Sequence, residues 1–147
     1  MIYLFTGQPG SGKTSIGKLL INFLSKDKKT IQIDGDDLRT IFNNADYSEN
    51  GRKKNIERAH DIAYFLNEKD FDIVLTMVSP YRELRDRLKS KAKILEIYVY
   101  TSEIRGRESF FVENYEKPIE NFIEIDTTNK IDIESFDLLI TKINFSK

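Results

Sequence analysis

The sequence contains no cysteine, and this absence excludes disulfide bonds, thiolate metal sites and cysteine nucleophiles. Such a composition suits a reducing compartment, so we expect a cytoplasmic protein. No apolar run approaches the roughly 18 residues that a membrane-spanning helix needs. The opening residues 1–6 carry no basic leader or cleavage site, and we interpret them as a strand rather than a signal peptide.

A net charge of either sign is also missing, since 23 basic and 24 acidic residues give a formal net charge of −1. No global field would therefore attract nucleic acid, and we expect any bound anion to be held by a local site. The length of 147 residues, with 39% hydrophobic and 32% charged residues, is typical of a soluble globular protein. We expect one domain over residues 1–147.

Short apolar runs rich in Ile, Val, Phe and Tyr alternate with helical patterns along the chain. The runs are Ile2–Phe5, Ile31–Ile33, Ile73–Val78, Ile94–Tyr100 and Phe122–Ile125. Helical spacing follows the first run and recurs over about Glu49–Asn67, Tyr81–Lys91 and Ile133–Asn144. This alternation predicts an α/β fold of three layers, α/β/α, around a mostly parallel five-stranded sheet. Ligands of such folds bind beyond the carboxyl ends of the strands.

The segment Gly7–Thr14 fits the phosphate-loop pattern G-x-x-x-x-G-K-[ST], between a predicted strand and a predicted helix. Its backbone N–H groups and the helix amino terminus attract phosphate, which predicts a P-loop NTPase-type fold that binds ATP. We expect Lys13 to contact the β- and γ-phosphates and Thr14 to ligate Mg²⁺. The predicted nucleotide-binding residues are Gly7, Gly10, Ser11, Gly12, Lys13, Thr14 and Ser15.

A cluster of carboxylates, Asp34, Asp36 and Asp37, follows the second predicted strand. Phosphoryl transfer to a hydroxyl needs a proton acceptor and a way to hold Mg²⁺, and aspartate can serve either need. We expect Asp36 to be the catalytic and metal-orienting residue, with Asp34 beside it. For Asp37 we expect a helix-capping role.

The third predicted helix starts with an unusually polar turn. Asp46 and Glu49 have the spacing of a capping box. Arg52 and Asn55 continue the apolar face of this helix, where polar groups normally meet a ligand or a buried partner. His60 is the only histidine, and we expect it to be structural.

Four ordered motifs together resemble the adenylylsulfate kinase family. They are Gly7–Thr14, Asp34–Arg39, Tyr47–Ile56 and Val78–Arg82, and a weaker likeness continues through Tyr115–Pro118 and Phe122–Thr127. The resemblance implies a kinase that transfers phosphate from ATP to the 3′-hydroxyl of adenosine 5′-phosphosulfate, in sulfate assimilation.

The resemblance also implies roles for the acceptor side of the site. Asp34 and Asp36 match the acidic pair near Mg²⁺ and the acceptor hydroxyl. Arg39, Arg52 and Asn55 match residues that hold the acceptor's phosphosulfate, and Tyr47 matches an aromatic that stacks on its base. Ser79 begins the acceptor-side loop. In some members this serine has been discussed as a phosphorylated intermediate, but direct in-line transfer is the simpler mechanism because no base neighbours it in sequence.

Two departures from the family pattern concern the acceptor. Gly51 stands where the family usually has aspartate, which would remove a charge from the acceptor wall. The lid, about residues 101–118, is shorter than in the family and lacks its lysine motif. Arg105 and Arg107 could approach the transferring phosphoryl group or the ATP base, so Arg107 is included among the cofactor-binding residues. For Phe110 and Phe111 we favour packing within the lid over stacking on a base.

The leading hypothesis is therefore an adenylylsulfate kinase with ATP and Mg²⁺ as cofactors and a small nucleotide as acceptor. A relative acting on another nucleotide, such as a cytidine diphosphate derivative, is the alternative within this class. A noncatalytic ATP-binding switch would not need Asp36, Arg52 and Asn55. A polynucleotide kinase would need a basic groove, which the sequence does not indicate. The sequence leaves the oligomeric state open, a homodimer included.

Overall fold

The computed structural model describes residues 1–146, with side chains up to residue 144. The strands are β1 (Ile2–Thr6), β2 (Thr30–Asp34), β3 (Asp72–Thr76), β4 (Ile94–Tyr100) and β5 (Phe122–Asp126). The α-helices are α1 (Lys13–Leu24), α2 (Gly35–Ile41), α3 (Glu49–Asn67), α4 (Arg82–Lys89) and α5 (Asp132–Ser146). A 3-10 turn, Glu108–Phe110, lies in the lid.

The five strands form one sheet in the order β2-β3-β1-β4-β5, and every neighbouring pair is parallel. Helices α1 and α5 pack on one face, and α3 and α4 pack together on the other. The predicted α/β/α fold is therefore confirmed, with a sheet that is parallel throughout. The connection that follows β1 runs to β2 on one side of it, and the connection that follows β3 crosses to β4 on the other side. This reversal of strand order opens a crevice at the carboxyl end of β1.

The central strands are buried on both faces, as their apolar sequences predict. Every residue of β1 and of β3 is buried. One apolar cluster lies under α3 and α4 and includes Ile56, Ala59 and Leu84; the second lies under α1 and α5 and includes Ile16 and Leu139. Each fully buried Leu or Ile side chain contributes about 1.5–3 kcal/mol, so both clusters hold the helices against the sheet.

Two helix caps differ from the sequence prediction. Asp34, not Asp37, caps α2, because its side chain accepts a hydrogen bond from the backbone N–H of Asp36. Ser48, not Asp46, caps α3, by accepting from the backbone N–H of Gly51. Both caps come from the residue directly before the helix, where a side-chain oxygen reaches the first free N–H groups.

No helix within residues 1–146 combines the length and apolar character required to cross a membrane.

Candidate active site

The phosphate loop connects β1 to α1 and depends on glycine at two crowded or strained positions. A Cβ on Gly7 would lie 2.1 Å from the carbonyl oxygen of Val99, so no side chain fits there. Gly12 precedes α1 with φ 110°, in the left-handed region that favours glycine. These conformations allow the loop to turn back over the end of the sheet, where Gly10, Lys13 and Thr14 line a cavity. Loops of this kind bind phosphate through backbone N–H groups.

The Lys13 side chain lies buried along this loop. Its ammonium donates to the carbonyl oxygen of Gln8 at 2.9 Å and to Ser11 Oγ at 3.3 Å. Burial lowers the pKa of Lys13 to about 8, although the carboxylates of Asp34 and Asp36 act in the opposite direction. Lys13 is therefore largely protonated at neutral pH, and a polyphosphate would offset the cost of burying its charge.

Asp34 ends β2 and connects the phosphate loop to the neighbouring strands. Its Oδ1 accepts from the hydroxyls of Thr14, at 3.0 Å, and Thr76, at 2.7 Å, while its Oδ2 caps α2. Both oxygens are thus engaged. The exposed carboxylate of Asp36, in the first turn of α2, has no hydrogen-bond partner among the described residues. The two aspartates therefore differ: one is held in place, and the other is free to accept a proton.

The start of α3 forms a polar wall opposite the phosphate loop. Arg52 lies half-buried there, and its guanidinium has no hydrogen bond or ion pair to any residue that the structure describes. Asn55 is almost fully buried; its amide donates to the carbonyl oxygen of Gly35 at 3.2 Å, and its Oδ1 has no partner. A buried unpaired oxygen is costly unless a ligand or water pairs with it. This wall has polar groups available for a second substrate.

Tyr47 and Arg39 stand beside this wall in direct contact. The guanidinium carbon of Arg39 lies 4.0 Å from the centre of the Tyr47 ring, within the range of a cation–π contact. Arg39 also donates to the backbone carbonyls of Asn44 and Asp46. The Tyr47 ring remains exposed. Arg39 therefore orients an aromatic surface in addition to presenting charge.

The loop after β3 carries Ser79 in an unusual conformation. Ser79 has φ 44°, is 1% exposed, and its hydroxyl has no hydrogen-bond partner in the described part of the chain. Its carbonyl oxygen accepts from Thr6 Oγ1 and from the guanidinium of Arg85. Arg85 is fully buried and paired with Glu96 at 2.7 Å. This ion pair fixes the strained loop from behind.

Arg85 and Glu96 were not predicted from the sequence, although one signal was present. Glu96 interrupts the apolar run of β4, and a carboxylate inside a buried strand requires a cationic partner. Arg85 supplies that charge from the inward face of α4, and it also donates to the carbonyl oxygen of Glu116, at the end of the lid.

The lid is hydrogen-bonded to the phosphate loop. Arg105 donates to the carbonyl oxygens of Gly10, at 3.0 Å, and Thr127, at 2.9 Å. The amide of Gln8 exchanges two hydrogen bonds with the backbone of Val112, at 3.0 and 2.9 Å. Sequence patterns could not reveal these contacts, because Gln8 occupies a variable position of the motif. Arg105 thus supports the loop from outside rather than entering the cavity.

Arg107 and two aromatic residues form the inner side of the lid. The Arg107 side chain passes the phosphate loop at Gly10, and its guanidinium carbon lies 5.3 Å from the ring centre of Phe110. Phe110 and Phe111 are 60% and 41% exposed. The expectation that they pack within the lid was wrong, because the short lid has no apolar layer to bury them. They line the cavity instead.

A single cavity of about 550 Å³ brings most of the predicted residues together. Its lining includes Gly10, Lys13, Thr14, Asp34, Asp36, Arg39, Tyr47, Arg52, Asn55, Ser79 and Arg107. Gly7, Ser11, Gly12 and Ser15 belong to the phosphate loop and the first turn of α1 but are not part of this lining. His60 lies elsewhere, between α3 and α4, where burial lowers its pKa to about 4.

The donors at the phosphate loop fit a magnesium ion. The Thr14 hydroxyl and a carboxylate oxygen of Asp34 lie 3.0 Å apart, and Asp36 adds a second carboxylate nearby. Mg²⁺ prefers such oxygen ligands and usually completes its shell with water and substrate phosphates. No group of three or more His, Asp or Glu within residues 1–146 forms a self-sufficient metal cage. The donor set therefore suits an ion that arrives with a nucleotide.

Comparisons with known proteins match the chain over most of its length. Residues 1–127 match the family described as adenylylsulphate kinase. The cytidine diphosphoramidate kinase of Campylobacter jejuni is 32% identical over 145 residues, covering 95% of this chain and 84% of that protein. An adenylyl-sulfate kinase of Pseudomonas aeruginosa is 34% identical over 133 residues, covering 83% and 67%. In fold, the chain is similar to the Mycobacterium tuberculosis APS kinase CysC in complex with AMPPNP and APS, with a TM-score of 0.77 and 22% identity over 95% and 96% of the two chains.

Proposed function

Because the chain belongs to the adenylylsulphate kinase family, whose members are ATP-dependent kinases, we propose that it phosphorylates a ribose hydroxyl of a nucleotide with an anionic 5′ group. One observation carries this proposal. The cavity joins a phosphate loop to a wall whose polar groups, Arg52 and Asn55 Oδ1, have no partner among the described residues. A protein that only bound ATP would have no use for that wall.

The proposed reaction is a direct in-line transfer. The acceptor hydroxyl oxygen attacks the γ-phosphorus, the bond to the β–γ bridging oxygen breaks, and ADP leaves with that oxygen. Asp36 accepts the hydroxyl proton, since its carboxylate is the one without a hydrogen bond. Lys13 and Arg107 stabilise the negative charge on the phosphates.

Magnesium, when bound, would neutralise phosphate charge at this site. Thr14 and Asp34 are the residues that would hold it, because their oxygens already lie in contact. Asp36, which the sequence assigns to the metal, remains available as a second carboxylate. Gly7, Gly10, Ser11, Gly12 and Ser15 would contribute backbone and side-chain donors around the phosphates.

Adenosine 5′-phosphosulfate is the acceptor that the family favours. Its sulfate and phosphate would meet Arg52, with Arg39 and Asn55 beside it, and its base would pack against the exposed Tyr47 ring. The arginines provide charge-assisted hydrogen bonds, so we expect the 5′ anion to be essential. This acceptor would make the protein part of sulfate assimilation.

A cytidine diphosphate derivative is the second candidate, and one observation favours it. The chain covers 84% of the cytidine diphosphoramidate kinase but only 67% of the adenylyl-sulfate kinase named above. The cytidine diphosphoramidate kinase is therefore closer to this chain in length. The short lid carries Phe110 and Phe111 at the cavity, which would alter the wall around the acceptor base.

The test is a comparison of kcat/KM, measured by ADP release, for adenosine 5′-phosphosulfate, cytidine diphosphoramidate and unsubstituted adenosine. Phosphorus NMR of the product would identify the phosphorylated hydroxyl. We expect both anhydrides to react and adenosine to react poorly. Because stacking on one aromatic contributes about 1–3 kcal/mol per base, we expect base preference to be modest. Efficient use of adenosine would refute the role of the anion-binding wall, and inertness toward all three would refute the proposed function.

A further inference from the structure

The loop of residues 43–48, here the Tyr47 loop, connects α2 to α3 and carries the aromatic ring of the acceptor wall. Internal hydrogen bonds shape it: Asn44 Oδ1 accepts from the N–H of Asp46, and Asp46 Oδ1 accepts from the N–H of Ser48, both at 2.9 Å. Asn44 also donates to the carbonyl oxygen of Gly51 at 3.1 Å, which attaches the loop to the first turn of α3.

Gly51 is the point at which this loop contacts the helix most closely. A Cβ on Gly51 would lie 2.1 Å from the carbonyl oxygen of Asp46 and 2.4 Å from its carboxyl carbon. Gly51 is helical and has no positive φ, so glycine is needed there for space and not for conformation. Glycine in a helix costs about 1 kcal/mol relative to alanine, so its presence calls for a compensating contact. The close approach of Asp46 is that contact.

The same contact places a carboxylate beside position 51. The Asp46 carboxyl group lies where a side chain on residue 51 would begin, so the loop supplies the charge that glycine lacks there. Hydrogen bonds from Ser48, and then the charges of Lys54 and Arg39, lower the pKa of Asp46, so it is ionised at neutral pH. The carboxylate therefore belongs to a residue of the Tyr47 loop, Asp46, which directly precedes Tyr47 in the chain.

We propose that Gly51 and Asp46 act as a coupled pair that sets the position of Tyr47, and with it the selectivity for the acceptor base. Any side chain on residue 51 must displace Asp46, and Tyr47 follows it in the chain. Arg39, which donates to the Asp46 carbonyl and lies over the Tyr47 ring, moves with them. Arg52 stays in place because it belongs to the helix. The pair therefore affects binding of the acceptor's base and not binding of its anionic 5′ group.

This inference rests on the proposed function, and an exchange of the two residues tests it. Gly51→Asp should raise the KM for the acceptor about tenfold to hundredfold, because the base loses its stacking surface, and should leave the KM for ATP unchanged. The double variant Asp46→Gly with Gly51→Asp moves the carboxylate to the helix and removes its clash with the Asp46 side chain, but the backbone carbonyl oxygen of residue 46 still lies 2.1 Å from a Cβ on residue 51. We therefore expect it to recover only part of the loss in acceptor KM. Asn50→Asp, an exposed neighbour on the same turn, adds the same charge without the contact and should match the wild type.

Two results would overturn the pair. One is a wild-type acceptor KM in Gly51→Asp. The other comes from Gly51→Ala, which should melt at a lower temperature than the wild type, although alanine favours helices. A higher melting temperature with an unchanged acceptor KM would mean that the contact exerts no constraint. If the wild type phosphorylates no nucleotide, the proposed function fails instead, and the melting temperatures of the single and double variants still report whether Gly51 and Asp46 are coupled.

Discussion

The two ends of the cavity are built differently. At the nucleotide end, Lys13, Thr14 and Asp34 already have hydrogen-bond partners within the protein. At the acceptor end, Arg52 and Asn55 Oδ1 have none within the described residues. The first end is a backbone cradle whose shape is fixed before ligands arrive, and the second is a wall of side chains that a ligand must complete. Mutations at the two ends should therefore have separable effects on ATP and acceptor.

The largest effect is expected from Lys13→Ala, at the nucleotide end. It should lower kcat/KM by at least about 10²-fold, because it removes a preorganised positive charge from the phosphates. The fold should survive, since alanine leaves no buried charge behind. ADP release and circular dichroism measure the two properties. Lys18→Ala, on the exposed face of α1, is the matched control and should keep full activity. Near-normal turnover by Lys13→Ala would contradict the kinase assignment of this site.

The next largest effect is expected from Asp36→Asn, and it distinguishes the role of Asp36 from that of Asp34. Asp36→Asn should lower kcat about 10²–10⁴-fold with little change in ATP affinity, because a general base acts in the transition state. Asp37→Asn, exposed on the same turn of α2, should behave as wild type. Thermal melting provides the structural control. If Asp36→Asn retains its kcat, the proton acceptor is Asp34, and the free carboxylate at this edge has no catalytic role.

The nucleotide end could be predicted from sequence far better than the acceptor end. Consecutive residues of one motif form the phosphate loop, and alternating apolar runs specify the strands that flank it. The acceptor wall combines α2, α3, the loop after β3 and the lid, so its contacts depend on packing between distant segments. The Gln8–Val112 bonds and the Arg85–Glu96 pair join residues 104 and 11 positions apart. A local pattern marks Glu96 as a charge inside an apolar strand, but none identifies its partner or joins Gln8 to Val112.

At the acceptor end, Arg52→Ala should raise the KM for the acceptor about 10- to 100-fold, the loss expected for a charge-assisted hydrogen bond. The KM for ATP should not change, which is the separation that the two-ended cavity predicts. Arg52→Lys should recover only part of the loss, since an ammonium cannot make a paired contact. Lys54→Ala, an exposed cation on the same helix, is the control. Equal increases in both KM values would show that the two ends are not independent.

The smallest effect concerns pH and distinguishes the cations at the two ends. Burial lowers the pKa of Lys13 to about 8 in the empty protein, whereas arginine keeps its charge throughout this range. Above about pH 8 the neutral amine predominates, so ATP binding must be accompanied by uptake of a proton. The dissociation constant for ATP, measured by calorimetry, should rise about tenfold between neutral pH and about pH 9, and that for the acceptor should stay level. The dissociation constant rises with pH because the neutral Lys13 amine forms only in the free protein and must take up a proton when phosphate binds.

Proton uptake should also appear as a dependence of the binding enthalpy on the ionisation heat of the buffer. A level ATP affinity up to about pH 9, without that dependence, would mean that Lys13 remains charged in the empty loop and that both ends use permanent cations.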